Sequence, residues 1–195
     1  MDLNGYSPEM IIGACVVAFV IMLVIAWAIV RQRSRRRTEV LRARFGTEYD
    51  VALAEYGSRR KAETALEARL HRVEGLALRP LEEAERLRYL ESWDGIQARF
   101  IDHPRGAVTE ADELINSVLQ ARGYTGGRFD QRVADVSVNH ARLVDPYRRA
   151  NAIVVRAGKN EATTEELRSA MILYRALFEE LLQTKMVTMP RAEAA

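Results

Sequence analysis

Three histidines, one cysteine and 27 carboxylates are the side chains from which this chain could build a metal site or an acid–base pair. A metal ion needs several such ligands converging on one point, and a nucleophile needs a base within hydrogen-bond reach. His71, His103 and His140 stand far apart in sequence, and none belongs to an H-E-x-x-H run. Glu67 and His71 share a helix face at i, i+4, the spacing of an exposed ion pair. His103 precedes Pro104 at an expected helix end, a capping position. Cys15 lies inside an apolar run, where a thiol stays protonated and packs as a small hydrophobe. One cysteine also excludes a disulfide framework and a multi-thiolate zinc site. There is no G-x-S-x-G elbow and no phosphate-binding glycine pattern. Gly126-Gly127 before Arg128 would let backbone N–H groups approach an anion, but no strand precedes it and a plain turn is the simpler reading. No carboxylate is read as falling within an apolar run that would raise its pKa. These residues predict no catalytic site, no metal and no cofactor, and hence no enzyme.

Two sets of side chains point instead to binding. Arg31, Arg33, Arg35, Arg36 and Arg37 form a basic cluster, which serves either as a topology signal or as a contact for anionic lipid. Tyr89, Trp93, Phe100, Tyr147, Tyr174 and Phe178 recur at helical spacing, the pattern of a core. Within this set Tyr174 and Phe178 carry an open alternative: they complete the bundle, or they form a docking face for a partner. Soluble proteins seldom expose an apolar patch beyond about 300–600 Å², which favours burial.

The elements that position these residues begin with a run of 21 uncharged residues, Met10 to Val30. As a helix it is about 31 Å long, the thickness of a hydrocarbon core. Ser7-Pro8-Glu9 supplies its start. Acidic residues precede the run and arginines follow it, the reverse of a cleavable signal peptide, so an uncleaved single-pass anchor in the cell membrane is expected. The arginines predict a short extracytoplasmic N-terminus (residues 1–9) and a cytoplasmic C-terminal part. Tyr6 and Trp27 suit the two interfaces, and Ala14 with Ala18 forms a small-xxx-small pair compatible with a homo-oligomer.

Residues 31–44 carry a net charge of +6 within a chain of net +2, and residues 45–195 carry −2. That balance argues against a nucleic-acid-binding face. Apolar residues downstream follow a 3.6-residue period, which predicts an all-α protein: a transmembrane helix (10–30), Arg-rich juxtamembrane and stalk helices (31–79), and a small helical bundle (80–185). Coiled-coil pairing is one way for the stalk to bury its thin stripe of Ala62, Leu66, Leu70 or Arg69, and Val73. Gly75 to Pro80 reads as a boundary, Gly123 to Gly127 as a loop, and Pro146 as a kink or a first-turn residue. Thr163 and Glu166 fit a capping box ahead of the cleanest stripe in the chain, Leu167 to Leu182. A disordered tail (186–195) is expected to follow.

Phe45–Asp50 (F-G-T-E-Y-D), Trp93–Asp102 (W-D-G-I-Q-A-R-F-I-D) and Leu167–Leu182 resemble an uncharacterised family of single-span bacterial membrane proteins with a helical cytoplasmic domain. That resemblance implies the same architecture and carries no activity, so no site residues follow from it. The expected function is a membrane-anchored adaptor or scaffold acting on a protein partner. The alternatives are an enzyme with an unrecognised site on the bundle and a lipid-charge sensor using the arginine cluster.

Overall fold

A computed structural model of the chain describes residues 8–183, and side chains from Val17 onward. The expectations for residues 1–7 and for the tail at 186–195 lie outside the described residues, and those for Ala14 and Cys15 fall on side chains outside the described ones. Among the described residues there are eight helices and no strand: α1 Pro8–Phe45, α2 Thr47–Tyr56, α3 Arg59–Glu74, α4 Glu83–Arg99, α5 Pro104–Ala121, α6 Phe129–Asn139, α7 Ala141–Gly158 and α8 Thr164–Gln183. The all-α expectation holds. Two compact units divide the chain between Ala43 and Arg44.

The first unit is α1 up to Ala43. Its stretch from Val17 has a mean hydropathy of 1.7 and buries none of its apolar window, so one helix here is long and apolar enough to cross a membrane. A core helix of the same composition would be covered by other elements, because exposed apolar surface costs about 25 cal/mol per Å² in water. The helix runs unbroken through the arginines, with the Thr38 hydroxyl donating to the Ser34 carbonyl at 3.0 Å. Gly46, at a φ of 52°, then breaks the helical path where a side chain would be strained.

The second unit starts earlier than the expected bundle boundary at residue 80. Helices α2 and α3 pack on each other, α3 packs on α6, and α2 packs on α7. They contribute the buried Tyr49, Ala52, Ala62, Leu66 and Val73. The segment after Gly75 is also pinned to the bundle: Leu76, Leu78 and Leu81 cover the main core, and the Arg79 amide donates to the Arg122 carbonyl at 3.0 Å. Gly123 permits that approach. It holds a φ of 91°, and a Cβ there would stand 2.5 Å from the Ala77 carbonyl oxygen. The main hydrophobic core itself comes from α4 to α8, with residues 76 to 182 supplying all of it.

Within that core α8 packs on both α5 and α7. The Trp93 and Phe178 rings stack with centroids 4.8 Å apart, and Tyr147 meets Tyr174 edge-on at 6.3 Å. Helix α6 runs from Phe129 to Asn139. Pro146 lies inside α7, where its missing N–H leaves the helical carbonyl one turn earlier without its usual donor. Because Phe178 is fully buried against Trp93, Phe178→Ala is expected to cost about 3–5 kcal/mol. Denaturant melts of the detergent-solubilised full chain measure it, and a change within about 0.5 kcal/mol would remove Phe178 from the core.

Candidate functional site

Both ends of α8 are fixed, and that decides what its outer face presents. At the N-terminus the Thr163 amide donates to the Glu166 carboxylate at 2.8 Å and the Glu166 amide donates to the Thr163 hydroxyl at 3.3 Å, the reciprocal box expected from the sequence. The Thr163 amide, then Arg156 and the Thr163 hydroxyl, hold the Glu166 carboxyl down at about 2. At the other end the buried Arg122, from the end of α5, donates to the Leu181 carbonyl in the last turn. A cation there meets the negative end of the helix dipole. Between the two ends Tyr174 donates to Asp112 at 2.9 Å.

Held this way, α8 turns Met171, Tyr174 and Phe178 inward and leaves Arg168, Ile172 and Arg175 outward. Opposite them α4 offers Trp93, Gln97 and Phe100 at i, i+4 and i+7. Together with Met171 these residues line an open groove of about 210 Å³. Small-molecule sites usually measure about 300–1,000 Å³, so this groove is sized for one or two side chains. Ile172 is 64% exposed, and Ile101, next to Phe100, is 84% exposed. Arg168 and Arg175 frame the groove, each paired along its own helix, with Glu165 at 2.5 Å and Glu179 at 2.7 Å. Exposed pairs of this kind contribute about 0–1 kcal/mol, so an incoming carboxylate can compete for either guanidinium.

The unit also buries polar groups that the sequence reading passed over. Asp135 sits in the run Val133-Ala134-Asp135-Val136-Ser137-Val138 and is fully buried, with its pKa raised chiefly by that burial. This corrects the expectation that no carboxylate falls in an apolar run. Gln131 donates to it at 2.7 Å, Thr125 at 3.4 Å, and Arg72 stands 3.8 Å away. Asp135 and Ser137 interrupt the apolar residues of the run, which conceals its helical burial. Glu48 of α2 is buried against a two-pronged guanidinium from Arg148 of α7, with Arg69 at 3.9 Å. Glu63 of α3 accepts from Tyr49 at 3.1 Å and from Arg59 at 2.9 Å.

The histidines separate. His71 is exposed and pairs with Glu74 at 3.4 Å. His103 occupies the N-cap position of α5, without a capping hydrogen bond from its side chain, and lines a second, polar cleft of about 360 Å³ with Arg105 and Thr164. His140 joins α6 to α7 and is buried, its Nδ1 3.5 Å from Glu180 and both ring nitrogens lacking a well-formed hydrogen bond. Among the described residues no group of three or more His, Cys, Asp or Glu converges as metal ligands do.

The two predicted binding sets are far apart in character. Arg31, Arg33, Arg35, Arg36 and Arg37 are all exposed on α1. Tyr174 and Phe178 are buried, so the docking alternative considered for them gives way to the core. The outward partners of the same stripe, Ile172 with its flanking arginines, are what α8 exposes. A helical wheel places Ile172 beside the stripe; only the packing of α4 shows that the space above it stays open. No family model matches the chain, and neither a curated protein nor a solved structure is significantly similar to it.

Burial and then Arg122 lower the His140 pKa below its ordinary 6.5, against the opposing pull of Glu180. The folded state therefore favours neutral imidazole. That contribution is complete above pH 6.5 and is lost as the pH falls through 6.5 toward the folded value. Unfolding free energies of the full chain at about pH 7.5 and about pH 5.5 should drop more for the wild type than for His140→Gln. Equal drops would show that His140 is charged or solvated in the fold.

Proposed function

We propose that the protein is a membrane-anchored helical interaction module. In this reading α1 crosses the cell membrane once, with its N-terminus outside. The unit from Arg44 onward works in the cytoplasm by docking a protein partner, and no catalysis is assigned to it. The uncovered apolar stretch of α1 supports the anchor. Five arginines within the first two turns after Val30, with none before Met10, support the orientation. The resemblance to single-span bacterial membrane proteins points the same way.

The observation that carries the interaction role is the groove between α4 and α8. Its floor is apolar and its rim is two exposed guanidiniums. The complementary partner is a protein segment with one or two apolar side chains flanked by carboxylates. Apolar burial would supply affinity, and Arg168 and Arg175 would supply register and charge selection.

Orientation is tested with a Ser92→Cys variant in a Cys15→Ser background. A membrane-impermeant maleimide should label it only after permeabilisation, and labelling of intact cells would reverse the assignment. The groove is tested by a photocrosslinking residue at position 172 in native membranes. It should give a discrete adduct that a control at Val51 on α2 does not, and Arg168→Glu with Arg175→Glu should abolish it without moving the melt. Loss of two exposed i, i+3 and i, i+4 pairs costs too little to unfold the unit. No adduct, or one indifferent to charge reversal, would refute the docking role.

A further inference from the structure

Arg31 to Arg37 are exposed on one unbroken helix, and their angular positions are as informative as their charge. At about 100° per residue, with Arg31 set to zero, Arg35 stands at about 40°, Arg36 at about 140°, Arg33 at about 200° and Arg37 at about 240°. The widest sector without an arginine is about 120°. Guanidiniums therefore project around the whole circumference. A docked protein or nucleic acid approaches a helix from one side and would use a stripe. A lipid leaflet surrounds it.

Depth agrees with that source. Arg31 to Arg37 rise about 9 Å along the axis. A leaflet's headgroup layer is about 5–8 Å thick, the difference between a bilayer's total thickness and its hydrocarbon core shared between two faces. Arginine side chains reach up or down their helix to place the charge at a preferred level, which covers the remainder. One turn before the arginines stands Trp27, exposed, with the Arg31 guanidinium over its ring at 4.9 Å. An indole under a guanidinium is the pairing expected where hydrocarbon meets headgroups. Between Glu9 and Glu39 the sequence has no acidic residue.

We infer that Arg31, Arg33, Arg35, Arg36 and Arg37 form a collar that gathers anionic phospholipid headgroups around α1, so that the protein carries an annulus richer in anionic lipid than the bulk leaflet. The guanidinium fork can hold a phosphate through two parallel hydrogen bonds. The net negative charge of an anionic lipid sets it apart from a zwitterionic neighbour that bears the same phosphate. This inference rests on α1 crossing a bilayer.

The test uses the full chain in nanodiscs of phosphatidylcholine containing a minority of phosphatidylglycerol, with the same composition in both leaflets so that insertion direction is immaterial. Fluorescence of Trp27 reports its neighbours. Trp93, the other tryptophan, is buried in the helical unit and adds a constant background. Brominated phosphatidylglycerol should quench Trp27 on the order of fivefold more effectively per molecule than brominated phosphatidylcholine, the weight of about one headgroup-level arginine. Replacing all five arginines by glutamine, which keeps helix propensity, should make the two lipids equal. So should about 1 M salt, where the Debye length shrinks to about 3 Å. Equal quenching in the wild type, or a preference that survives in the glutamine variant, overturns the collar and leaves the span standing. Failure of either lipid to quench Trp27 overturns both.

Discussion

The inner stripe of α8 has to be covered, and the rest of the helical unit is arranged to cover it. Leu167, Ala170, Met171, Tyr174, Leu177, Phe178 and Leu181 are buried along almost the whole helix. One neighbour cannot enclose a stripe this wide, and both α5 and α7 pack against it. Tyr174 brings a hydroxyl into that apolar setting, and Asp112 of α5 accepts a hydrogen bond from it at 2.9 Å. Arg132 of α6 then stands 3.8 Å from the same carboxylate and donates to the Tyr147 hydroxyl at 3.1 Å. The four groups thus form one partly buried polar network, in which each contact strengthens its neighbours. The open groove is a by-product of this arrangement: once the inner stripe is fixed, Ile172 has nowhere to go but outward.

A second layer, α2 with α3, joins the bundle by a different chemistry. Of 29 basic residues only Lys61, Lys159 and Lys185 are lysine, and the layer's contacts use that arginine excess. Arg148 reaches from α7 to the buried Glu48, and Arg72 of α3 approaches Asp135 of α6. The Arg44 guanidinium donates to the Val138 carbonyl at 3.4 Å. Buried ion pairs add little net stability, because desolvation offsets most of the attraction, yet losing one partner is costly. Such pairs therefore select one register of α2 and α3 on α6 and α7. Ala52 and Ala62, small and fully buried, let the two helices approach closely enough for the arginines to reach.

What the sequence makes legible follows from locality. The apolar run, the capping box at Thr163 and Glu166, and the stripe of α8 are each set by residues within a few turns, and periodicity reports them directly. A thin stripe such as Ala62, Leu66 and Val73 has the pattern of a stalk, and that α6 lies against it depends on residues far along the chain. Asp135 escaped notice because a carboxylate among alternating valines is neutral in pattern, and its burial depends on α3 and on the loop holding Thr125. Arg122 and Leu181 lie 59 positions apart, so no local signal marks the cap that Arg122 provides. The groove was half visible. The stripe of α8 places Tyr174 and Phe178 in the core, while the exposed Ile172 that lines the groove stands beside it, a distinction that depends on which side α4 occupies.

Anchor and groove support one another on the proposed reading. A cavity of about 210 Å³ that accepts one or two side chains buries too little surface for a tight complex between freely diffusing proteins, which usually bury about 1,200–2,000 Å² in total. Confining both partners to one membrane changes what the contact must achieve. Tethering converts encounter into a nearly intramolecular event, with effective concentrations that reach the millimolar range for short linkers. Under those conditions an affinity far too weak for solution capture is sufficient for occupancy, and it allows rapid exchange. The rim then carries most of the discrimination, since an apolar side chain alone distinguishes partners poorly while a misplaced positive charge opposite Arg168 or Arg175 is repelled. A small arginine-framed groove is therefore a workable docking site on an anchored protein, and it would be an inadequate one on a soluble protein of the same fold.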